Sequence, residues 1–246
     1  MERKDRMKRL GRIFFTGDTH GDFDRIAAFC KKYKTTKKDV LIILGDAGVN
    51  FMGLNCKNQD QDRFKKQFLA DLPITILCIH GNHEMRPYKV LTCMEKMWQG
   101  GIVYVDETYP DLLYAKDGEI YDLNGKSAIA IGGAYSVDKY YRIIHGWPWW
   151  DDEQPSGEVK QYVEKQLEKV HWTVDIVMSH TVPLKYEPRE VFLDGINQEA
   201  VDKSTEIWLD KIEEKLKYEA WLAGHYHTEK KVDKLELMFE NYREWK

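Results

Sequence analysis

Five apolar runs break off in the same way along this chain: RIFFTGD at 12–18, VLIILGD at 40–46, ITILCIHGN at 74–82, VDIVMSH at 174–180 and AWLAGH at 220–225. None shows the alternation of a half-exposed strand, and each ends on Gly or Ser followed by Asp, Asn or His. Continuous aliphatic and β-branched runs of this length read as strands buried on both faces. Between the first three runs the period becomes helical. In DFDRIAAFCKKY, residues 22–33, Phe23, Ile26, Ala27 and Cys30 share a face, with Asp22 placed to cap; in QDRFKKQFLADL, residues 61–72, Phe64, Phe68 and Leu72 do the same.

From 102 to 133 the pattern shortens to IVYV, DLLYA and EIYDLNGKSAIAIGG, strands joined by turns, with Asn124-Gly125 as a hairpin signal. IAIGG reads as one more buried strand ending at the same rim. Residues 134–155, AYSVDKYYRIIHGWPWWDDEQP, follow neither period and read as a loop crowded with three tyrosines and three tryptophans. Helices are expected near 157–170 and 198–216, and a strand pair in VDKLELMFENY at 232–242. Strands alternating with helices, without repeats or linkers, predict an α/β fold. The reading is one domain over 1–246, a pair of buried sheets with helices outside and an aromatic-rich loop at about 134–155.

Composition narrows the classes. With 246 residues, 43% of them apolar, the chain can bury one sizeable core, and a formal charge of -4 supplies no broad basic surface for a nucleic-acid backbone. Nucleic acid stays open as a partner but unsupported by charge. No stretch approaches the roughly 18 apolar residues of a membrane span, and Asp18 ends the first apolar run too early for a signal peptide. A cytoplasmic protein with no membrane association is expected, its N-terminal RKDRMKR a solvated end. Cys30, Cys56, Cys78 and Cys93 show no CxxC spacing and are expected as reduced thiols. The oligomeric state is not legible.

The chemistry stands at the strand ends: GDTHG (17–21), GDAG (45–48), GNHE (81–84), SH (179–180) and GHYH (224–227). Open α/β sheets bind ligands there, just past the C-terminal ends of their strands. Taken singly, an Asp or Asn at such a place is usually a turn former and a buried His a hydrogen-bonded core residue. Taken together, seven such side chains in a mixed carboxylate, imidazole and amide set suit borderline divalent ions and lack the thiolates of a structural zinc.

These five blocks resemble, in order and approximate spacing, the signature of the calcineurin-like metallophosphoesterases over about residues 13–228. GGAYSVDKYYR with its Trp-rich continuation is similar to a bacterial and phage subgroup. The resemblance implies an αββα β-sandwich flanked by helices. It implies two divalent metal ions, manganese foremost, with iron, zinc, nickel or cobalt as alternatives. Asp18, His20 and His227 would hold one, Asn82, His180 and His225 the other, and Asp46 would bridge them. The implied activity is metal-dependent hydrolysis of phosphate monoesters or diesters by a metal-bridging hydroxide, acting on a small phosphate ester or a nucleotide. His83 would contact the phosphate or protonate the leaving alkoxide, and Glu84 would fix backbone or a ligand.

The departures matter too. Where Ser/Thr protein phosphatases carry GDxVDRG, this chain reads GDAGVNF, with Val49 and Asn50 in place of the Asp that orients the catalytic His and the Arg that binds phosphate. Arg86 and Arg142 are then candidate phosphate-holding cations, Asn50 a candidate amide contact, and Tyr135 the start of a loop able to overhang the metals. Trp147, Trp149 and Trp150 would stiffen that loop or stack on a substrate ring, making it a lid or wall. Two other readings stay open: a nuclease or nucleotide phosphodiesterase of the same fold, and an inactive protein-binding scaffold, which the intact ligand positions and His83 oppose.

Overall fold

The computed structural model of the chain describes residues 9–52 and 59–246. Cys56 and all but the last residue of the basic N-terminal cluster lie outside them. In chain order, β1 (Ile13–Thr16), α1 (Asp24–Tyr33), β2 (Val40–Ile43), α2 (Gln59–Asp71) and β3 (Thr75–Cys78) alternate. There follow β4 (Cys93–Trp98), β5 (Gly101–Asp106), β6 (Leu112–Ala115), β7 (Ile120–Asp122) and β8 (Ser127–Ile131). The second half contains α3 (Lys139–Ile144), α4 (Gly157–Lys169), β9 (Ile176–Ser179), α5 (Ser204–Glu213), β10 (Ala220–Ala223), β11 (Lys230–Val232), β12 (Leu235–Leu237) and β13 (Arg243–Trp245).

The strands form two sheets, ordered β13-β1-β2-β3-β6-β5-β4 and β11-β12-β10-β9-β8-β7. Their centres, β1-β2-β3-β6 and β12-β10-β9-β8, are parallel. The continuous apolar runs are explained by what each face meets. Successive side chains of a strand point to opposite faces, so Ile13, Phe15, Val40 and Ile42 pack between the sheets with Ile176, Met178 and Leu222. Phe14, Leu41 and Ile43 face α1 and α2 through Ile26, Phe29 and Leu69. On the far side Ile129, Val177 and Trp221 meet Val163 and Leu167 of α4 and Leu209 and Ile212 of α5. Helix, sheet, sheet and helix stack as four layers, the expected αββα arrangement.

Several local expectations need correction. Asp22 does not cap α1: Phe23 occupies that position, with no side-chain bond to the helix. Phe64 is 73% exposed, and the apolar stripe of α2 runs instead through buried Leu69. The helix expected at 198–216 shrinks to α5, preceded by short 3-10 turns at Leu184–Tyr186, Arg189–Val191 and Gln198–Ala200. The aromatic segment, read as a loop, contains α3. β4 had no signal, because it is an edge strand whose central residues are exposed. The terminal pair is the hairpin β11-β12, with β13 crossing to the other sheet. Asn124-Gly125 behaves as read: both residues are left-handed, at φ 59° and 93°. The flanking Leu123 and Lys126 exchange backbone hydrogen bonds of 2.8 and 3.4 Å.

Candidate metal centre

The parallel strands of both sheets end at one rim, and their C-terminal ends bring the five polar blocks together. Each of the two aspartates is held in the same manner. Asp18 Oδ1 accepts the backbone N–H of His225 at 2.8 Å, and Asp46 Oδ1 accepts that of His83 at 2.8 Å. One oxygen of each carboxylate is thereby fixed, and the other is turned to histidines. Asp18 Oδ2 lies 3.3 Å from His227 Nε2 and 3.6 Å from His20 Nε2, while Asp46 Oδ2 lies 3.7 Å from His180 Nε2 and 3.9 Å from His20 Nε2.

Three groups of side chains offer ligand atoms within 4.8 Å of one another: Asp18, His20 and His227; His20, Asp46 and His83; and Asp18, Asp46 and His180. Asp46 belongs to two of them. Asn82 joins through its Oδ1, 2.8 Å from His180 Nε2. His225 stands beside them, its ring centroid 5.0 Å from that of His180.

Whether these residues suit a cation can be judged from their lone pairs. His180 Nδ1 lies 2.8 Å from the carbonyl of Leu44, which can only accept, so Nδ1 carries a proton and Nε2 is the atom turned to the cluster. Asn82 Nδ2 donates to Ser136 Oγ at 2.9 Å, which leaves Oδ1 turned to that Nε2. Asn82 Oδ1 and His180 Nε2, 2.8 Å apart, can be held together by a proton on Nε2 or by a cation that both ligate. His20 Nε2 and His227 Nε2 also face each other at 2.8 Å, and Asp18 Oδ2 is buried with no hydrogen-bond partner. The donor set fits divalent cations.

The electrostatics agree. Burial opposes ionisation of Asp18, but the imidazoles of His20 and His227 beside it, together with His180, outweigh it and hold the carboxyl well below the usual range. For Asp46, burial is likewise overcome by the charges of His180 and His83, and the carboxyl stays lowered. Burial and the neighbouring His180 push His225 down to about 3, the state a metal-ligating imidazole requires.

Backbone detail explains the glycines. Gly45 is left-handed at φ 98°, and a Cβ there would fall 2.0 Å from His180 Nδ1. At Gly81 a Cβ would fall 1.9 Å from Asp46 Oδ1. His20, Asp46, His225 and His227 themselves adopt positive φ, between 46° and 70°. Such conformations cost roughly 1–3 kcal/mol each in ordinary settings and gather at functional sites. Arg25 of α1, which carried no sequence signal, staples the first block by donating to Asp18 O at 2.8 Å and Thr16 Oγ1 at 2.9 Å. Glu84 fixes backbone, accepting Gly81 N–H at 3.0 Å.

Over the cluster opens a cavity of about 390 Å³ lined by His20, Asp46, Asn82, His83, His225 and His227 at its floor. Of the aromatic segment, Tyr135, Val137 and Asp138 line it, together with Glu187, Val191, Phe192, Leu193 and Ile196, from a stretch for which the sequence predicts no element, and Gln198 and Val201, where a helix is expected. Asp138 Oδ1 lies 3.7 Å from His83 Nε2. A carboxylate thus stands beside the third-block histidine after all, supplied by the residue preceding α3 rather than by position 49.

The proposed phosphate-holding cations are placed elsewhere. Arg142, 1% exposed, donates to Pro148 O and to Ser136 Oγ, and its guanidinium packs against Phe51 and Trp150. Arg86 pairs with Asp117 and faces a separate cavity of about 190 Å³. Asn50 is buried, its carbonyl accepting Met85 N–H at 3.0 Å, and does not line the metal-side cavity. Among these four substrate candidates only Tyr135 lines it. The tryptophans do not line it either. Trp149 Nε1 donates to Glu153 Oε2 at 2.8 Å with Lys139 Nζ 4.1 Å above its ring, Trp150 meets Phe51, and Trp147 is exposed. They stiffen their own segment around Arg142.

The family model described as calcineurin-like phosphoesterase matches residues 11–229. Among solved structures, that of TT1561 of Thermus thermophilus is similar at 12% identity with a TM-score of 0.52, covering 96% of this chain and 98% of that one. A phosphopantetheinyl hydrolase from Mycobacterium tuberculosis aligns at 13% identity with a TM-score of 0.47, covering 93% and 88%. The first of these likenesses is one of fold. No curated protein matches the chain.

Proposed function

The chain belongs to the calcineurin-like phosphoesterase family, and from that premise we propose that it hydrolyses small phosphate esters with two divalent cations, manganese foremost, bound at the strand-end cluster. The observation that carries the reading is the convergence of ligand atoms at the strand ends, three groups within 4.8 Å, with the buried Asp18 Oδ2 left without a hydrogen bond among the described residues. Asp18, His20 and His227 would hold one cation, Asn82, His180 and His225 the other, with Asp46, which groups with His20 and also with His180, between them. Bound cations supply Lewis-acid charge for the phosphoryl oxygens and lower the pKa of water towards neutrality.

The protein's own groups do the rest. His83 lines the cavity and would contact the phosphoryl group and donate a proton to the departing alkoxide. Burial lowers the proton affinity of its ring, and the carboxylates of Asp46 and Asp138, the latter 3.7 Å from Nε2, oppose that and favour the protonated form. In the balanced reaction water adds to phosphorus, the P–O bond to the alcohol breaks, and the alcohol leaves carrying the proton. Among the described residues no Lys or Arg lines the cavity, which supports a small ester over an oligonucleotide. Three described cysteines, Cys30, Cys78 and Cys93, are free, in keeping with a cytoplasmic setting. Among the described residues no helix is long and apolar enough to cross a membrane.

The test is metal analysis with hydrolysis of p-nitrophenyl phosphate and its bis ester in manganese. Bound metal and turnover are expected; neither would favour the inactive scaffold. His83→Ala should retain metal and lose about 100-fold or more on esters with poor leaving groups. Parallel loss of metal would remove the proton-donor role. A panel of mononucleotides, cyclic nucleotides and oligonucleotides separates the nuclease reading.

A further inference from the structure

Above its floor the cavity is lined largely by apolar side chains, Val137, Val191, Phe192, Leu193 and Ile196 among them, with Tyr135, Tyr226 and Gln198 as neutral polar groups. Three carboxylates join them. Glu187 receives Lys203 Nζ at 2.8 Å, and Asp138 has Arg142 Nη1 at 4.0 Å and His83 Nε2 at 3.7 Å. Glu206, from α5, makes no ion pair among the described residues, Lys203 acting on it only from a distance. It is 4% exposed; its Oε1 accepts Thr181 Oγ1 at 2.8 Å, while its Oε2 is buried without a hydrogen bond.

The position of Glu206 is fixed by the centre itself. Thr181 directly follows His180, and its hydroxyl also lies 3.2 Å from Tyr226 OH, on the residue between His225 and His227. The carboxyl is therefore tied to both ligand segments of the second sheet without being one of the grouped ligands.

Granting the phosphoesterase reading above, we propose that the alcohol part of the substrate is an apolar body ending in a protonated amine, and that Glu206 selects it. A buried carboxylate without a partner is costly, and the cost is removed when a cation comes to it. Glu206 lines the same cavity as the floor without being one of the grouped ligands, so the complementary ligand carries an anion for the floor and a cation for this carboxylate. A polyphosphate or nucleic-acid chain would instead bring further negative charge to Glu206 and find no Lys or Arg on these walls. A volume of about 390 Å³ suits a single ring or short alkyl body.

The test compares 4-(aminomethyl)phenyl phosphate with 4-methylphenyl phosphate, each also as its methyl diester, using the manganese-loaded full chain. The wild type should prefer the amine in kcat/KM by about tenfold or more, the scale of a charge-assisted hydrogen bond, and Glu206→Gln should bring that ratio close to one. Intrinsic differences between the leaving groups cancel when the two ratios are compared. Calorimetric binding of 4-(aminomethyl)benzylphosphonate against 4-methylbenzylphosphonate should show the same preference without turnover, and in the wild type it needs no variant to fold. Equal affinities and rates in the wild type, or a preference that survives Glu206→Gln, would overturn the proposal. If p-nitrophenyl phosphate is hydrolysed but the amine earns no preference, only the substrate assignment fails. If no ester is hydrolysed and no metal binds, the phosphoesterase reading fails and takes this assignment with it.

Discussion

A methyl group added at Gly81 has no room. Its carbon would lie 1.9 Å from Asp46 Oδ1 and 2.2 Å from Asp46 N, where ordinary contact begins at 3.4 Å. An overlap of about 1.5 Å is too large for a side-chain rotation to absorb, because the backbone of Asp46 shares it. Relief must separate the second block from the third, and that breaks the 2.8 Å bond from His83 N–H to Asp46 Oδ1. Overpacking costs about 1–3 kcal/mol, and losing a hydrogen bond to a charged group about 1.5–3 kcal/mol more. At roughly 2–4 °C per kcal/mol for a chain of this size, Gly81→Ala should melt on the order of 10 °C below wild type. It should also retain less manganese, since the displaced Asp46 carboxylate belongs to two of the candidate ligand groups. Gly157→Ala is the matched control. It sits at the start of α4 with nothing within 4 Å of its Cβ, so it should melt at or slightly above wild type. Thermal melts with and without manganese, together with metal content by mass spectrometry, decide the matter. A Gly81→Ala protein melting within about 2 °C of wild type and carrying its full metal would refute the packing argument.

Three further outcomes are expected. Chelation should lower the melting temperature and re-added manganese restore it, because ions at a hundred times their dissociation constant add about 2.7 kcal/mol to the folded state; an unmoved melt would count against the cluster as a metal site. Burial pushes the Glu206 carboxyl from 4.5 up to about 7. The folded chain then keeps a proton that the unfolded chain releases, and wild-type stability falls as pH rises through that window. Relative to wild type, Glu206→Gln should gain about 3 kcal/mol between pH 4.5 and 8 in denaturant titrations with chelator present, and an advantage that does not grow with pH would be contrary. Asp138→Asn should reduce turnover of poor leaving groups about 10-fold to 100-fold while metal content holds, and joint loss of both would assign it to the metal site instead.

The strand ends were legible because strands buried on both faces leave an unbroken apolar run, and the ligands terminate those runs. The same logic hid the rest. The cavity wall at 187–201 is built from single-turn segments, too short to impose a period on their composition. Glu206 and Asp138 carry chemistry only through what folds against them: Thr181 lies on another element, and His83 comes from a different sheet segment. Arg86 and Arg142 looked like free cations because the sequence shows their charge but not Asp117 or the Pro148 carbonyl that receives it. The tryptophans misled for a related reason: a cluster of large rings beside a site is conspicuous whether it contacts ligand or holds its own loop.

The pairing of β13 with β1 joins residues more than two hundred positions apart, Ile13 with Trp245 and Phe15 with Arg243. During synthesis at about 5–20 residues per second, the outer edge of the strand that leads to Asp18 therefore waits on the order of ten seconds or more for its cover. Through much of that interval Asp18, His20, Asp46 and Asn82 have been made while His225 and His227 have not. A nascent chain displays an uncovered apolar edge beside an incomplete set of candidate ligands, and because His227 closely precedes β13, the full set and the cover for the edge arrive at nearly the same moment.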